Sequence, residues 1–338
     1  MVRKILASAA IAATAFIAGT AQAEMSYKPL AEDPKEINFG FISTESTSNL
    51  KEQWLPLMKD MEKAVGVKIN PFFAPDYAGV IEAMRFGKVH VAWFGNKSGM
   101  EAVDRSAGEV FAQTSKADGT QGYYSHIITH VDNKNINKLS DIFKCDKSIN
   151  FGIGDPNSTS GFLVPSYYVF AQNNIDPKKC FKTVRNANHE TNLMSVAHKQ
   201  VEVAANNSEQ IGRSKKKAPD AAKNIKVIWT SPLIPSDPMI YRKDMSKELK
   251  SKIKAFFLGY GRLGDVAHAK KILGDISDGQ GLFMESNNTQ LYPVRQLALF
   301  KDKLRIKANA GLDATEKASR ISKIDKKLSD LAIMVAAQ

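Results

Sequence analysis

Ile149-Asn150-Phe151-Gly152-Ile153-Gly154-Asp155-Pro156-Asn157-Ser158-Thr159-Ser160-Gly161-Phe162-Leu163-Val164-Pro165 is the stretch on which the fold turns. Ile149–Ile153 reads as a strand, and the apolar run from Phe162 reads as a helix extending to Asn173. Between them, Asp155 to Gly161 is a polar strand-to-helix turn. Ser, Thr and Asn are natural helix caps, so a well-capped helix is one reading. Three consecutive hydroxyl-bearing residues, Ser158, Thr159 and Ser160, exceed what capping requires. Pro165 has no N–H for the carbonyl four residues earlier, which weakens the regular ladder and leaves the amides of Ser158 to Gly161 pointing outward. Hydroxyls, free amides and the positive end of a helix dipole together make a cradle for an anion.

The same alternation runs outward from this segment. Upstream, strands at Ile37–Ile42, Val67–Phe73, Val89–Phe94 and Val110–Gln113 alternate with helices at Leu50–Val65, Tyr77–Phe86 and Lys97–Ser106. Trp54, Leu57, Met58 and Met61 recur at helical spacing in the first of these helices. The pattern then restarts with the β-prone run Tyr123–Val131 and a short helix at Leu139–Phe143. Beyond the cradle come a helix at Thr191–Lys199, a strand at Val201–Ala205, a helix near Ser208–Ala218, strands at Ile225–Trp229 and Met239–Tyr241, and an amphipathic helix at Lys247–Tyr260. Such alternation predicts parallel strands with helices on the sheet faces. Two α/β units in tandem, the second completed by a return to the first, fit two lobes around a cleft. The expected division is 37–125 for the first lobe, 126–240 for the second, 241–295 for the return, and 296–338 for a helical tail. That tail packs on the outside or against a second copy of the chain. Ligand sites in such sheets lie beyond the carboxyl ends of strands, at helix N-termini.

The composition agrees with this architecture. The chain has 338 residues, 43% hydrophobic and 24% charged, the balance of a soluble globular protein of about two domains. Disorder, coiled coil and polytopic membrane protein are excluded. Arg3 and Lys4, the apolar run Ile5 to Gly19 and Ala21-Gln22-Ala23 read as a signal peptide over residues 1–23, cut after Ala23. The apolar run is short of the ~20 residues needed to span a bilayer. In an oxidising compartment Cys145 and Cys180 read as one disulfide or two plain thiols, since neither lies in a Cys-x-x-Cys or beside a histidine. The net charge of +12 is spread along the chain except at Lys215-Lys216-Lys217, and no nucleic-acid motif accompanies it. No Gly-x-x-x-x-Gly-Lys-Ser/Thr loop is present.

Further polar residues stand at element junctions. His189 follows a strand-like stretch in Asn186-Ala187-Asn188-His189, and Tyr77 follows Asp76 at a helix start. Tyr123 lies in Gly122-Tyr123-Tyr124, Glu209 in Asn206-Asn207-Ser208-Glu209, and Asp237 in Pro235-Ser236-Asp237-Pro238. Singly, each reads as an ordinary turn or cap residue. His126 and His130 share a strand face without a third ligand, so no metal site is expected. Gly259-x-Gly261-x-x-Gly264 spells a dinucleotide fingerprint but follows a helix, and it reads as a helix stop. Ser158, His189 and Asp237 can be cast as a hydrolase triad, yet no Gly-x-Ser-x-Gly elbow supports them, and three adjacent hydroxyls suit binding better than one nucleophile.

Several strings together carry a resemblance. Ile42-Ser43-Thr44-Glu45-Ser46, Phe73-Ala74-Pro75-Asp76-Tyr77-Ala78-Gly79, Gly95-Asn96, the Gly154–Pro165 string, Ser231-Pro232-Leu233-Ile234-Pro235 and Pro293-Val294-Arg295-Gln296-Leu297-Ala298-Leu299-Phe300 resemble the PhnD family of periplasmic phosphonate-binding proteins. The likeness runs from about Ile37 to Phe300. It implies an α/β, two-lobed periplasmic solute-binding fold of type II, with the cleft between the lobes. Such a protein closes on its ligand and delivers it to an ABC transporter permease, with no catalysis and no cofactor.

The resemblance further implies that Ser158, Thr159, Ser160 and His189 hold the phosphonate while Tyr77 and Tyr123 close over it. Glu209 and Asp237 would take the ammonium group of 2-aminoethylphosphonate. Charge-assisted donors are each worth about 1.5–3 kcal/mol net, so hydroxyls, amides and one imidazole suffice without a Lys or Arg. Two acids beside an anion are self-defeating unless the ligand also carries a cation. That favours an aminoalkylphosphonate over phosphate, phosphite or a phosphate ester. Two departures stand out: Tyr124 where the family has Trp, and Phe94 where it has Tyr, both expected to tune the cleft. Cys145 and Cys180 lie outside the family pattern.

Overall fold

Strand Ile37–Phe41 is buried at every position but Asn38, and it organises the first lobe. Ile69–Phe73 and Val91–Trp93 pair with it in parallel on its two sides. Pro238–Arg242 adds antiparallel to Val91–Trp93, followed by Gly108–Gln113 and Met284–Glu285, to give six strands. Helices Thr47–Val65 and Lys247–Gly259 cover this sheet: Trp54 packs on Phe41, and Phe257 on Phe39. Trp54, Leu57, Met58 and Met61 are all buried, as their spacing predicts. The helix Lys247–Gly259 ends before Gly261 and Gly264, both at positive φ, so the glycine-rich string is a helix stop. A computed structural model describes residues 27–277 and 279–336; the segment 1–23 and its cut lie outside the described residues.

The second lobe has five strands in the order Ile225–Thr230, Ser125–His130, Val203–Asn207, Asn150–Ile153, Thr183–Asn186. Only the pairings of Asn150–Ile153 are parallel; the others are antiparallel. The expectation of purely parallel sheets is therefore corrected in both lobes. Strand periodicity reports which face is buried and carries no information on direction. Phe151 is stacked on Phe181 and meets Phe170 edge-on in this lobe's core.

Two crossing segments join the lobes. They pair with each other as a short ladder, Gly122–Tyr123 against Ile234–Pro235. Because Pro238–Arg242 lies wholly in the first sheet, the chain returns ahead of it, and the boundary expected at 240/241 moves toward the N-terminus. The tail also starts earlier than residue 296. Helix Tyr292–Ala308 opens with Pro293 in its first turn and packs antiparallel to helix Ala314–Ala336. Arg295 of this helix pairs with Asp104 in the first lobe, and Phe300 approaches Tyr167 in the second.

Cys145 and Cys180 are bonded at 2.00 Å. The bridge joins the end of the short helix Leu139–Lys144 to helix Pro177–Cys180 and closes a loop that contains the whole cradle. Removing loop entropy from the unfolded chain on this scale is worth about 3–4 kcal/mol.

Candidate functional site

The helix after the strand Asn150–Ile153 is not a regular one. Its first turn, Thr159–Leu163, is π-helical: Leu163 N–H reaches Ser158 O (3.1 Å) and Val164 N–H reaches Thr159 O, five residues back. Pro165 then interrupts the ladder, and a second wide turn follows at Ser166–Phe170. The turn packs tightly on the strand end, where Gly154 N–H donates to Gly161 O at 2.8 Å. A Cβ at Gly154 would lie 2.6 Å from the Gly161 backbone, so this position accepts only glycine. Of the four amides expected to be free, two are used internally. Ser158 N–H donates to Asp155 O (2.8 Å) and Gly161 N–H to Ser158 Oγ (3.0 Å), which leaves the amides of Thr159 and Ser160 at the turn's N-terminus without a helical acceptor.

Each of the three hydroxyls already accepts an N–H. Ser158 Oγ accepts from Gly161, Thr159 Oγ1 from the amide of Lys97 (2.8 Å), and Ser160 Oγ from Asn207 Nδ2 (3.1 Å). A hydroxyl that accepts in this way keeps its own proton to donate. Three O–H donors are thus aimed by the fold, and an anion is the complementary partner. His189 Nε2 lies 3.4 Å from Ser158 Oγ and 3.5 Å from Ser160 Oγ. Burial, and then the charge of Arg213, push this imidazole down to about 3, so it is neutral at neutral pH and offers one N–H. Burial likewise raises the hydroxyls of Tyr77 and Tyr123, with Asp155 acting next on Tyr77 and Asp237 next on Tyr123, and both stay protonated donors.

These groups face one cavity of about 290 Å3. Its wall brings together every residue singled out above: Tyr77, Tyr123, Ser158, Thr159, Ser160, His189, Glu209 and Asp237. Asp237 lines the same cavity and is buried, with its Oδ1 3.0 Å from the Tyr123 hydroxyl. Burial pushes its carboxyl up, Glu209 pushes it further, and the Tyr123 and Trp93 donors and Arg213 only partly oppose them. A buried acid beside a second acid calls for a cation.

Residues that no local pattern pointed to complete the site. Arg213 lines the cavity, which corrects the expectation that no Lys or Arg would stand there. Its charge is engaged by Glu45 (3.2 Å), Gln210 Oε1 and Ser277 Oγ (2.8 Å each). Asn207 caps the helix carrying Glu209 and also lines the cavity. Lys97 follows the quoted Gly95-Asn96, and only its backbone amide is used on Thr159. Neither Phe94 nor Tyr124 is on the cavity wall. Phe94 is wholly buried in the first lobe's core and Tyr124 faces outward, because each neighbours a cavity residue on a strand and so points to the opposite face.

The lobes are closed on one another. Glu190 of the second lobe accepts from Ser46 N–H (2.7 Å) and Asn49 Nδ2 (2.8 Å) of the first, and His189 N–H donates to Thr44 O (3.1 Å). Tyr77 N–H donates to Asp155 Oδ2 at 3.2 Å. The triad reading fails on this geometry. Asp237 is bonded to Tyr123, and His189 Nδ1 is buried with no partner among the described residues, so none of their acids orients the imidazole toward Ser158.

Comparison with known proteins gives a consistent result. Residues 39–289 match the family model described as the periplasmic substrate-binding protein of the phosphonate ABC transporter. The phosphonates-binding periplasmic protein of Escherichia coli K12 is 52% identical over 300 residues, covering 89% of this chain and 87% of its own. The crystal structure of a binding protein component of an ABC phosphonate transporter from Pseudomonas aeruginosa superposes with a TM-score of 0.86 at 50% identity, covering 90% of this chain and 99% of that one. PhnD1 from Prochlorococcus marinus, solved in complex with methylphosphonate, shares the fold at a TM-score of 0.68 and 20% identity, over 78% of this chain and 97% of that one.

Proposed function

The chain belongs to the family of periplasmic substrate-binding proteins of ABC phosphonate transporters, and from that premise we propose that its cleft selects 2-aminoethylphosphonate and hands it to the permease. Proteins of this family are binding components, not enzymes. The phosphonate sits on the hydroxyls of Ser158, Thr159 and Ser160, the free amides of the turn and His189, with Tyr77 and Tyr123 against it. The ammonium group lies between Glu209 and Asp237. The observation that carries the amine is the buried Asp237 carboxyl, held in the same cavity as the anion cradle and already raised by its surroundings. Phosphate, phosphite or a phosphate ester would fit the cradle but gain nothing from the acids. Lobe closure couples ligand capture to docking, because the closed arrangement presents both lobes to the permease together.

The test is a calorimetric titration of wild type, Asp237→Asn and Glu209→Gln with 2-aminoethylphosphonate and methylphosphonate. Each substitution is expected to weaken the amino ligand by roughly 10–100-fold and methylphosphonate by less than about threefold. Equal losses on both ligands would remove the ammonium assignment.

The reading extends to the ends of the chain. Residues 1–23 direct export and are removed after Ala23, and the tail pairs two copies through its last helix, where Ile333, Met334 and Val335 are exposed at 66%, 42% and 46%. Native mass spectrometry of the exported protein reads both points. The expected species is two chains, each beginning at Glu24. A single copy would reject the pairing, and a different first residue would reject the cut.

A further inference from the structure

The cavity does not end at the amine. Trp93, Glu209 and Asp237 also form part of the wall of a second space that opens toward solvent, whose lining includes Trp54, Ser115, Lys116 and Gln280. Trp54 stacks on Trp93 with ring centroids 5.2 Å apart, giving this space a flat apolar side. Gln280 is placed firmly. Its backbone N–H donates to Leu273 O and Ile276 O at 3.1 Å, and the next amide, Gly281, donates to Ser115 O at 2.7 Å. The Gln280 side chain is only 6% exposed, and its Nε2 has no hydrogen-bond partner among the described residues. A buried amide donor without an acceptor is unfavourable, and a group entering the space can supply one.

We propose that this second space is an extension subsite for aminoalkylphosphonates whose ammonium nitrogen carries a short arm ending in a neutral acceptor such as a hydroxyl, read by Gln280. The proposal rests on the amine standing between Glu209 and Asp237, at the junction of the two spaces. Alkylation keeps the nitrogen cationic, so the acids retain their partner while the arm runs along the Trp54–Trp93 side. Methylphosphonate and phosphate cannot reach this region.

The test uses three ligands: 2-aminoethylphosphonate, its N-(2-hydroxyethyl) derivative, and the N-propyl derivative of equal length. Wild type is expected to bind the hydroxyethyl ligand within about tenfold of the parent, and roughly three- to tenfold tighter than the propyl ligand. Gln280→Leu is expected to erase the preference for hydroxyl over propyl while changing the parent's affinity by less than about twofold. The wild-type ligand pair decides the matter even if the variant folds poorly. Rejection of both N-substituted ligands by a protein that still binds the parent would overturn the subsite. A hydroxyl preference that survives in Gln280→Leu would overturn the role of Gln280. Failure of the parent itself to bind would overturn the amine placement instead, and the subsite with it.

Discussion

The two ends of the cavity are built in opposite ways. The oxyanion end is local: Ser158, Thr159 and Ser160 are consecutive, stand on one strand-to-helix turn, and each accepts one N–H, which leaves its proton to donate. Its donors are neutral groups, since His189 is held neutral by burial and by the nearby charge of Arg213. The acid end is assembled from distant parts. Glu209 opens a helix of the second lobe, whereas Asp237 lies where the chain crosses back to the first. Its buried Asp237 carboxyl is raised in pKa by burial and by Glu209 before any ligand arrives. A preorganised neutral cradle suits an anion that brings its own charge. Burial and Glu209 hold the Asp237 carboxyl up against its donors and Arg213, and a cationic ligand would lower it.

That contrast is most easily broken at the cradle. Ser158→Ala with Ser160→Ala removes two charge-assisted donors and leaves the turn amides in place. At about 1.5–3 kcal/mol each, the pair is expected to cost at least about 100-fold in affinity for amino and non-amino phosphonates alike. Fluorescence or calorimetric titration of 2-aminoethylphosphonate and methylphosphonate reads it. A loss confined to one ligand would mean that the two ends do not act separately. The effect at the acids is smaller and confined to amine ligands, because removing one carboxyl also relieves its repulsion of the other.

The difference between local and distant construction also explains what the sequence made legible. Periodicity located the central strands and most long helices of both lobes but not the helix Val266–Asp275 or the short elements Pro177–Cys180, Pro219–Lys223 and Met284–Glu285, and the hydroxyl string stood out because all of its parts are adjacent. It did not show that Pro238–Arg242 runs antiparallel, since alternation is the same in either direction. Nor did it show that the helix after the cradle opens in π turns, a consequence of packing Gly161 onto Gly154. The grouping of Glu209, Asp237, Tyr77 and Tyr123 came from resemblance alone, because nothing in their local strings says they meet. Arg213 and Glu45 left no trace for the same reason: their contact joins two lobes across 168 positions. The outward placement of Tyr124 was legible in principle, because the residue after an inward-facing Tyr123 on a strand points the other way.

The subtlest consequence of the contrast is in protons. Burial and Glu209 raise the Asp237 carboxyl in the ligand-free cavity, so it holds a proton over part of the range where an ordinary carboxyl has lost it. An ammonium group placed between the two acids lowers that pKa again, and the proton leaves. Binding of 2-aminoethylphosphonate is therefore expected to release a fraction of one proton more than binding of methylphosphonate. Its affinity relative to methylphosphonate should rise with pH through the range in which Asp237 titrates in the free protein. His189 does not blur the comparison, because its imidazole, pushed down to about 3, stays neutral across the same range. Calorimetry of both ligands in two buffers of different ionisation enthalpy measures the proton difference, to which the ligands' own second ionisation also contributes because the ammonium group lowers it in the amino ligand. Asp237→Asn should shift the difference by the fraction of a proton that Asp237 releases. A proton difference unchanged in Asp237→Asn would mean that Asp237 carries its charge before the ligand arrives, and the contrast with the neutral cradle would then rest on geometry alone.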